Sequence, residues 1–259
     1  MARLTKVSEL DADFIARATQ VTSFNIRGAD FESLKYKNEI QHLYATYMFK
    51  GFDLSKTIKG MDVTKVNNLI NDLKAIDRQA FNNLYDFQPK GVGPGECLLY
   101  FLIDDATLGG GTSAGVDMKI GSKLFEVKGA NLSGDKKFVT GFKLGGTVDL
   151  TDMVNKAVSM KESLGFTTMG KGKNEVNKSQ IEAIKKTYPK EWKKIETEYA
   201  NKAYKYFGNI PVIFFNNNRS GPKLTTAAGH VIKAEPVAKK DIMIDVITQG
   251  TIKPKIKVA

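Results

Sequence analysis

Gly115-Val116-Asp117-Met118-Lys119-Ile120-Gly121-Ser122-Lys123-Leu124-Phe125-Glu126-Val127-Lys128-Gly129 is the stretch whose reading decides the fold. Two short alternating segments, Val116 to Ile120 and Leu124 to Lys128, flank a tight turn at Gly121-Ser122, the pattern of a β-hairpin. Successive side chains of a strand point to opposite faces. Val116, Met118 and Ile120 therefore share one face, and Asp117 and Lys119 the other. In the second segment Phe125 and Val127 oppose Leu124, Glu126 and Lys128. A two-residue turn pairs Ile120 with Lys123, and so Asp117 with Glu126, with Cβ atoms about 4.5–5.5 Å apart. A three-residue turn would put Asp117 on the opposite face.

Two carboxylates set against each other on one strand pair are unfavourable unless something neutralises them. A divalent cation does so. Mg²⁺ takes oxygen ligands, usually one or two carboxylates completed by waters and phosphate oxygens. Lys128 shares the face of Glu126, two residues on, where its ammonium can meet a phosphate or an attacking water. A cation that acidifies a bound water, beside a lysine, is the equipment for phosphodiester hydrolysis. The plainer alternative is a solvated hairpin face with a cross-strand salt bridge such as Lys119 to Glu126.

Asp117 followed by Glu126-Val127-Lys128, with Glu96 opening a preceding helix after Gly93-Pro94-Gly95, resembles the PD-(D/E)XK nuclease superfamily, the restriction-endonuclease-like group, in the form of its phage-encoded members. The resemblance covers about residues 91–131. It departs from the family name at Val116, where a proline is expected. It implies that Asp117 and Glu126 are metal ligands, with the Val127 backbone carbonyl a frequent third. Lys128 would be the catalytic lysine, and Glu96 a helix carboxylate supporting the metal or a water. The implied cofactor is Mg²⁺, with Mn²⁺ able to substitute. The implied partner is DNA, and relatives that cut both strands often do so as homodimers. A glutamate in the first turn of a helix is also favoured simply by the helix dipole, which is the competing account of Glu96.

Working outward, residues 8–86 read as mostly helical. Ile40, Leu43, Tyr44 and Tyr47 recur at helical spacing, as do Val66, Leu69, Ile70 and Leu73, with Asp62 or Thr64 placed to cap the second helix. Glu96 to Asp104 reads as a helix because Leu and Glu outnumber β-branched residues. Gly109 to Ser113 reads as a flexible loop. With no Gly-Lys-Ser/Thr after these glycines, a phosphate-binding P-loop is not indicated. Residues 148–164 read as a helix capped near Asp149 or Thr151, 165–178 as a mobile connection, and 178–207 as a long basic helix broken at Pro189. Strands are expected at 210–216, 242–248 and 252–258. The expectation is an α/β (α+β) protein. A helical N-terminal region, 1–90, would precede a nuclease core over 91–259 with a mixed sheet and a basic C-terminal part.

The charge sharpens that expectation. Residues 1–90 hold 13 Lys+Arg and 11 Asp+Glu, residues 91–170 hold 8 and 9, and residues 171–259 hold 18 and 8. Nearly all of the net +11 thus lies in the last third. Concentrated positive charge points to a polyanion such as nucleic acid, and otherwise to a lysine-rich solvated surface. Trp192, Tyr199, Tyr204 and Tyr206 lie among the lysines of the basic helix, and the expectation is aromatics mostly inward and lysines outward. Arg219, near Ser220-Gly221-Pro222-Lys223, is either a phosphate contact or part of an ordinary basic loop.

One cysteine, Cys97, excludes an internal disulfide, and with His42 and His230 far apart a zinc site is not expected. No apolar run is long enough to span a membrane, and Met1 to Leu10 has no signal-peptide core. A cytoplasmic or virion-associated protein is expected. The functional expectation is a Mg²⁺-dependent deoxyribonuclease, an endonuclease of phage or mobile-element style. Its rivals are a non-catalytic DNA-binding or virion structural protein that keeps the nuclease fold, and a phosphatase-like enzyme, which would not need so large a basic region.

Overall fold

A computed structural model describes residues 34–89, 91–109, 116–145, 148–166, 172–220 and 223–259. The chain is α+β, and it divides into two compact units: residues 1–129 with 212–234, and residues 130–211 with 235–259.

The first unit begins, among the described residues, with α1 (Lys37–Leu43), which widens at once into a π-helical turn over Tyr44–Met48. Helix α2 (Val63–Ile76) follows, and Asp62 caps it by accepting from the Lys65 N–H at 3.0 Å. Its buried stripe is Val66, Leu69, Ile70 and Leu73, the helical spacing legible in the sequence. Asp77 ends α2 and caps α3 (Arg78–Asp86), accepting from Gln79 and Ala80. Helix α4 (Glu96–Leu102) is buried along its whole length. Phe101 near its C-terminal end is surrounded by the rings of Tyr44, Phe49 and Phe52, with centroids 5.6–5.9 Å away. Lys37 seals the C-terminal end of α4: its ammonium donates to the carbonyls of Ile103, Asp104 and Ala106 at 2.5–2.9 Å. A cation is favoured there by the helix dipole. Burial brings the Lys37 pKa down to about 8.

The strands of this unit are β1 (Ala106–Leu108), β2 (Met118–Ile120), the first part of β3 (Lys123–Leu132), most of β5 (Pro211–Asn216), the short antiparallel pair β6 (Arg219–Ser220) and β7 (Lys223–Leu224), and the start of β8 (Val231–Pro236). β2 lies antiparallel between β1 and β3, and β5 pairs with β3 and β8. The registers described are antiparallel, and an isolated bridge, Ile58 with Ile103, is parallel. Strands β1 and β8 had no signature in the sequence strong enough to assign. Helix α2 grips the chain before β8. Asn67 exchanges two hydrogen bonds with the Val231 backbone, Asn71 meets the His230 ring, and Lys74 donates to the Ala228 carbonyl.

The second unit has the end of β3, β4 (Phe138–Thr140), β9 (Ile242–Thr248) and β10 (Thr251–Lys257), with β10 antiparallel to both β4 and β9. Its helices are α5 (Thr151–Ser163), α6 (Lys178–Thr187) and α7 (Pro189–Phe207). The expected break at Pro189 separates α6 from α7, with the proline in the first turn of α7, where it costs no hydrogen bond. Asn177 and Gln180 form a capping box at the start of α6. Helix α5 starts one residue after Leu150, and Asp149 accepts from the Thr151 N–H rather than occupying the cap. Trp192 and Tyr199 are buried, while Tyr204 is exposed, so the aromatics of α7 do face mostly inward. Lys161 is fully buried and holds the chain at the carbonyls of Lys173 and Glu175. Residues 1–33, most of the Gly109–Ser113 loop, the middle of the 165–178 connection and Gly221-Pro222 lie outside the described residues. No helix among the described residues is long and apolar enough to cross a membrane.

Candidate active site

Strands β2 and β3 form the hairpin in the register the two-residue turn demands: Ile120 opposite Lys123, Lys119 opposite Leu124, Met118 opposite Phe125. Gly121 adopts φ +58°, a conformation glycine reaches without the strain a side chain would bring. Met118, Ile120, Phe125 and Val127 are all buried, which locks the register, since a one-residue slip would turn them outward. Asp117 lies just before β2, where its N–H donates to the Phe125 carbonyl at 2.9 Å, the residue that Met118 faces, so the regular pairing ends there. Its carboxylate turns in and accepts the Val127 N–H at 2.9 Å.

Glu126 is 1% exposed, not on a solvated face. It is ion-paired with Lys128, whose ammonium also lies 3.8 Å from Asp117. Lys119, the alternative cross-strand partner, is exposed and sits across from Leu124. Asp117 and Glu126 are close enough to share a hydrogen bond. Burial raises the Asp117 pKa, opposed by Lys128 and reinforced by Glu126.

Glu96 comes from a separate element, the first residue of α4, and is 4% exposed. Its Oε1 accepts the Gly93 N–H at 2.6 Å. Burial lifts its pKa to about 8, and Asp117 and Glu126 push it further up while the Gly93 bond and Lys128 pull it down. All four sequence-nominated side chains, Glu96, Asp117, Glu126 and Lys128, therefore act on one another electrostatically. The Gly93-Pro94-Gly95 turn makes this approach feasible. A Cβ on Gly93 would lie 2.4 Å from the Glu96 carboxylate. Gly95 has φ +83°, and a Cβ there would meet the Phe215 ring at 2.7 Å. These glycines read from sequence as flexible connections; here they are required by close packing. The available signal was a glycine three residues before a helix-opening glutamate, the reach of a side chain back to a backbone N–H.

Beyond Lys128, Gly129 leaves room for Pro94, Tyr85 and Asn217: a Cβ would lie 3.2, 3.5 and 3.7 Å from their nearest atoms. Arg219 is bound as a fork to Asp86, at 2.5 and 3.2 Å, and touches Asn217 at 3.2 Å. That pairing joins residues 133 apart in the chain and was not legible in the sequence. Cys97 is buried beside Glu96, and burial drives its thiol pKa well up, so it packs as a small apolar side chain rather than serving as a nucleophile. His230 lies between Asn71, Ala227 and Lys74, and burial lowers its pKa.

The cluster is closed at one end and open at the other. Glu126 and Glu96 are covered, while the side chains of Asp117 and Lys128 are 31% and 18% exposed. Among the described residues, no three His, Cys, Asp or Glu side chains are arranged to hold an ion by themselves. Two facing carboxylates of mutually unfavourable charge, beside the Val127 peptide, are instead the hard-oxygen set suited to a cation that keeps several waters. The residues present fit Mg²⁺ in that sense. Comparison of the chain with protein-family models, with curated proteins and with solved structures returns no match.

Proposed function

We propose that the chain is a Mg²⁺-dependent deoxyribonuclease that hydrolyses phosphodiester bonds, cutting within the strand. The observation that carries this is the convergence of Glu96, Asp117, Glu126 and Lys128, three carboxylates and an ammonium, in one half-open cluster. A solvated surface would leave such groups in water. Here two of the carboxylates are internalised, a cost that folding alone gives no reason to incur.

Asp117, Glu126 and the Val127 carbonyl would hold the metal. Mg²⁺, or Mn²⁺ in its place, supplies an acidified water and a counter-charge for the extra negative charge on the phosphorus oxygens. The protein's own groups do the rest. Asp117 is oriented by the Val127 N–H, so its carboxylate is fixed before substrate arrives. Lys128 stands at the open end, where its ammonium can leave Glu126 for a phosphate oxygen or hold the attacking water. Glu96, kept protonated to about pH 8 by burial, can hold a proton at its carboxyl facing the cluster. The excess of lysine in the second unit supports a polyanionic substrate over a small phosphate ester.

The test is incubation of supercoiled and linear plasmid with the chain in Mg²⁺, in Mn²⁺ and in EDTA, with Asp117→Ala alongside. Conversion of the circle that requires metal and disappears in the variant is the expected result. DNA retained in a gel shift without cleavage under any metal would overturn the enzyme assignment and favour a non-catalytic DNA-binding protein.

A further inference from the structure

Helix α7 presents Lys193, Glu196 and Ala200 along one stripe, and the short turn Lys239–Asp241 leads into β9 opposite it. Between them lies a groove of about 640 Å³, floored by Ala200 and Met243 and edged by Lys193, Lys239 and Lys240. A smaller cavity of about 180 Å³ shares Glu196 and Met243 with it.

The two differ in charge. In the smaller cavity Lys178, Lys185 and Lys255 face Glu182, Glu196 and Asp245, so charges balance. Lys178 is held by Asp245 at 3.1 Å and Lys185 by Glu182 at 3.2 Å. In the larger groove three lysines face Glu196 alone. Glu196 is already engaged by the Trp192 indole N–H at 2.9 Å, and by Lys185 and Lys193 at 3.7 Å. Lys239 and Lys240 are exposed, and no side-chain partner for either is found among the described residues. Lys186, Lys190 and Lys194 extend the exposed positive charge along the same two helices.

We propose that this groove of the second unit is a docking track for the phosphate backbone of DNA, with Lys239 and Lys240 its principal contacts. The proposal rests on the nuclease assignment only for the choice of DNA as the polyanion. The groove has no glycine-rich loop and no arginine fork to fix a single phosphate group. Long, hydrated lysines along an open trough suit a continuous backbone contacted without sequence preference.

The experiment is fluorescence anisotropy of a labelled 30-base-pair duplex with the full chain in EDTA, at several salt concentrations. It compares wild type, Lys239→Glu with Lys240→Glu, the milder Lys239→Gln with Lys240→Gln, and a control of equal charge change, Lys59→Glu with Lys65→Glu, on exposed positions of the first unit. The groove reversal should weaken binding roughly tenfold and lower the slope of log K against log salt by about 2, with the glutamine pair showing the same slope change. The control should do neither. Equal loss in the control, or an unchanged slope in both groove variants, overturns the proposal. Plasmid cleavage in Mg²⁺ by the wild type separates the two assignments: a failed groove leaves metal-dependent cleavage intact, whereas a failed nuclease assignment leaves binding without cleavage.

Discussion

The two units of this chain handle charge in opposite ways. The first holds 19 Lys+Arg against 16 Asp+Glu and takes its ionisable groups inside: Glu96, Glu126, Asp86, Lys37 and Lys74 are each buried or half-buried. The second holds 20 against 12 and, among the described residues, leaves many of them in water, with Lys161 and Asp245 among the exceptions. The contrast is the one that the two proposed roles would call for. Chemistry needs groups whose protonation and orientation are set in advance, which burial and dedicated partners provide. Holding a polyanion needs cations free to shed counterions, which solvated lysines provide.

The comparison is broken most severely at Lys128. Lys128→Ala should lower the cleavage rate by about 10²–10³-fold, measured under single-turnover conditions, while duplex affinity in EDTA stays near that of wild type. An equal fall in affinity would mean that the first unit also carries the binding, and the division of labour would fail.

A second test uses pH. The Glu96 pKa is raised in the folded chain, from an ordinary 4.5 to about 8. Between those values the unfolded chain has lost the proton and the folded chain keeps it. Metal-free stability should therefore fall as pH rises through that window, by at most about 1.4 kcal/mol per pH unit. Thermal melts in EDTA should show the slope, Glu96→Gln should remove it, and Mg²⁺ should flatten it. A flat profile in wild type would mean that Glu96 is not held in the unfavourable surroundings described.

The smallest effects come from glycines. Gly95→Ala puts a methyl against the Phe215 ring at a left-handed position, and should cost about 2–3 kcal/mol. Gly165→Ala in the second unit has φ +78° but open space around it, and should cost about 1 kcal/mol from backbone strain alone. Denaturant unfolding of both variants measures the difference. Equal costs would show that the turn before α4 has slack, and that Glu96 is not rigidly delivered.

Much of this was legible in the sequence, for local reasons. The hairpin register follows from a period of two and a two-residue turn, both set within fifteen residues, so the pairing from Ile120 with Lys123 to Met118 with Phe125 was readable without a fold. Helix α2 and strands β9 and β10 followed from apolar periodicity, and the break at Pro189 from the missing N–H. The α+β class came from the same patterns. What the tertiary structure alone decided concerns distance and burial. Glu96 follows a turn whose Gly95 packs against the ring of Phe215, far along the chain. The sealing of α4 by Lys37 and the fork between Arg219 and Asp86 likewise join distant segments. The burial of Glu126 was equally invisible: alternation says which way a side chain points, but only the packing of other elements over that face says whether it meets water.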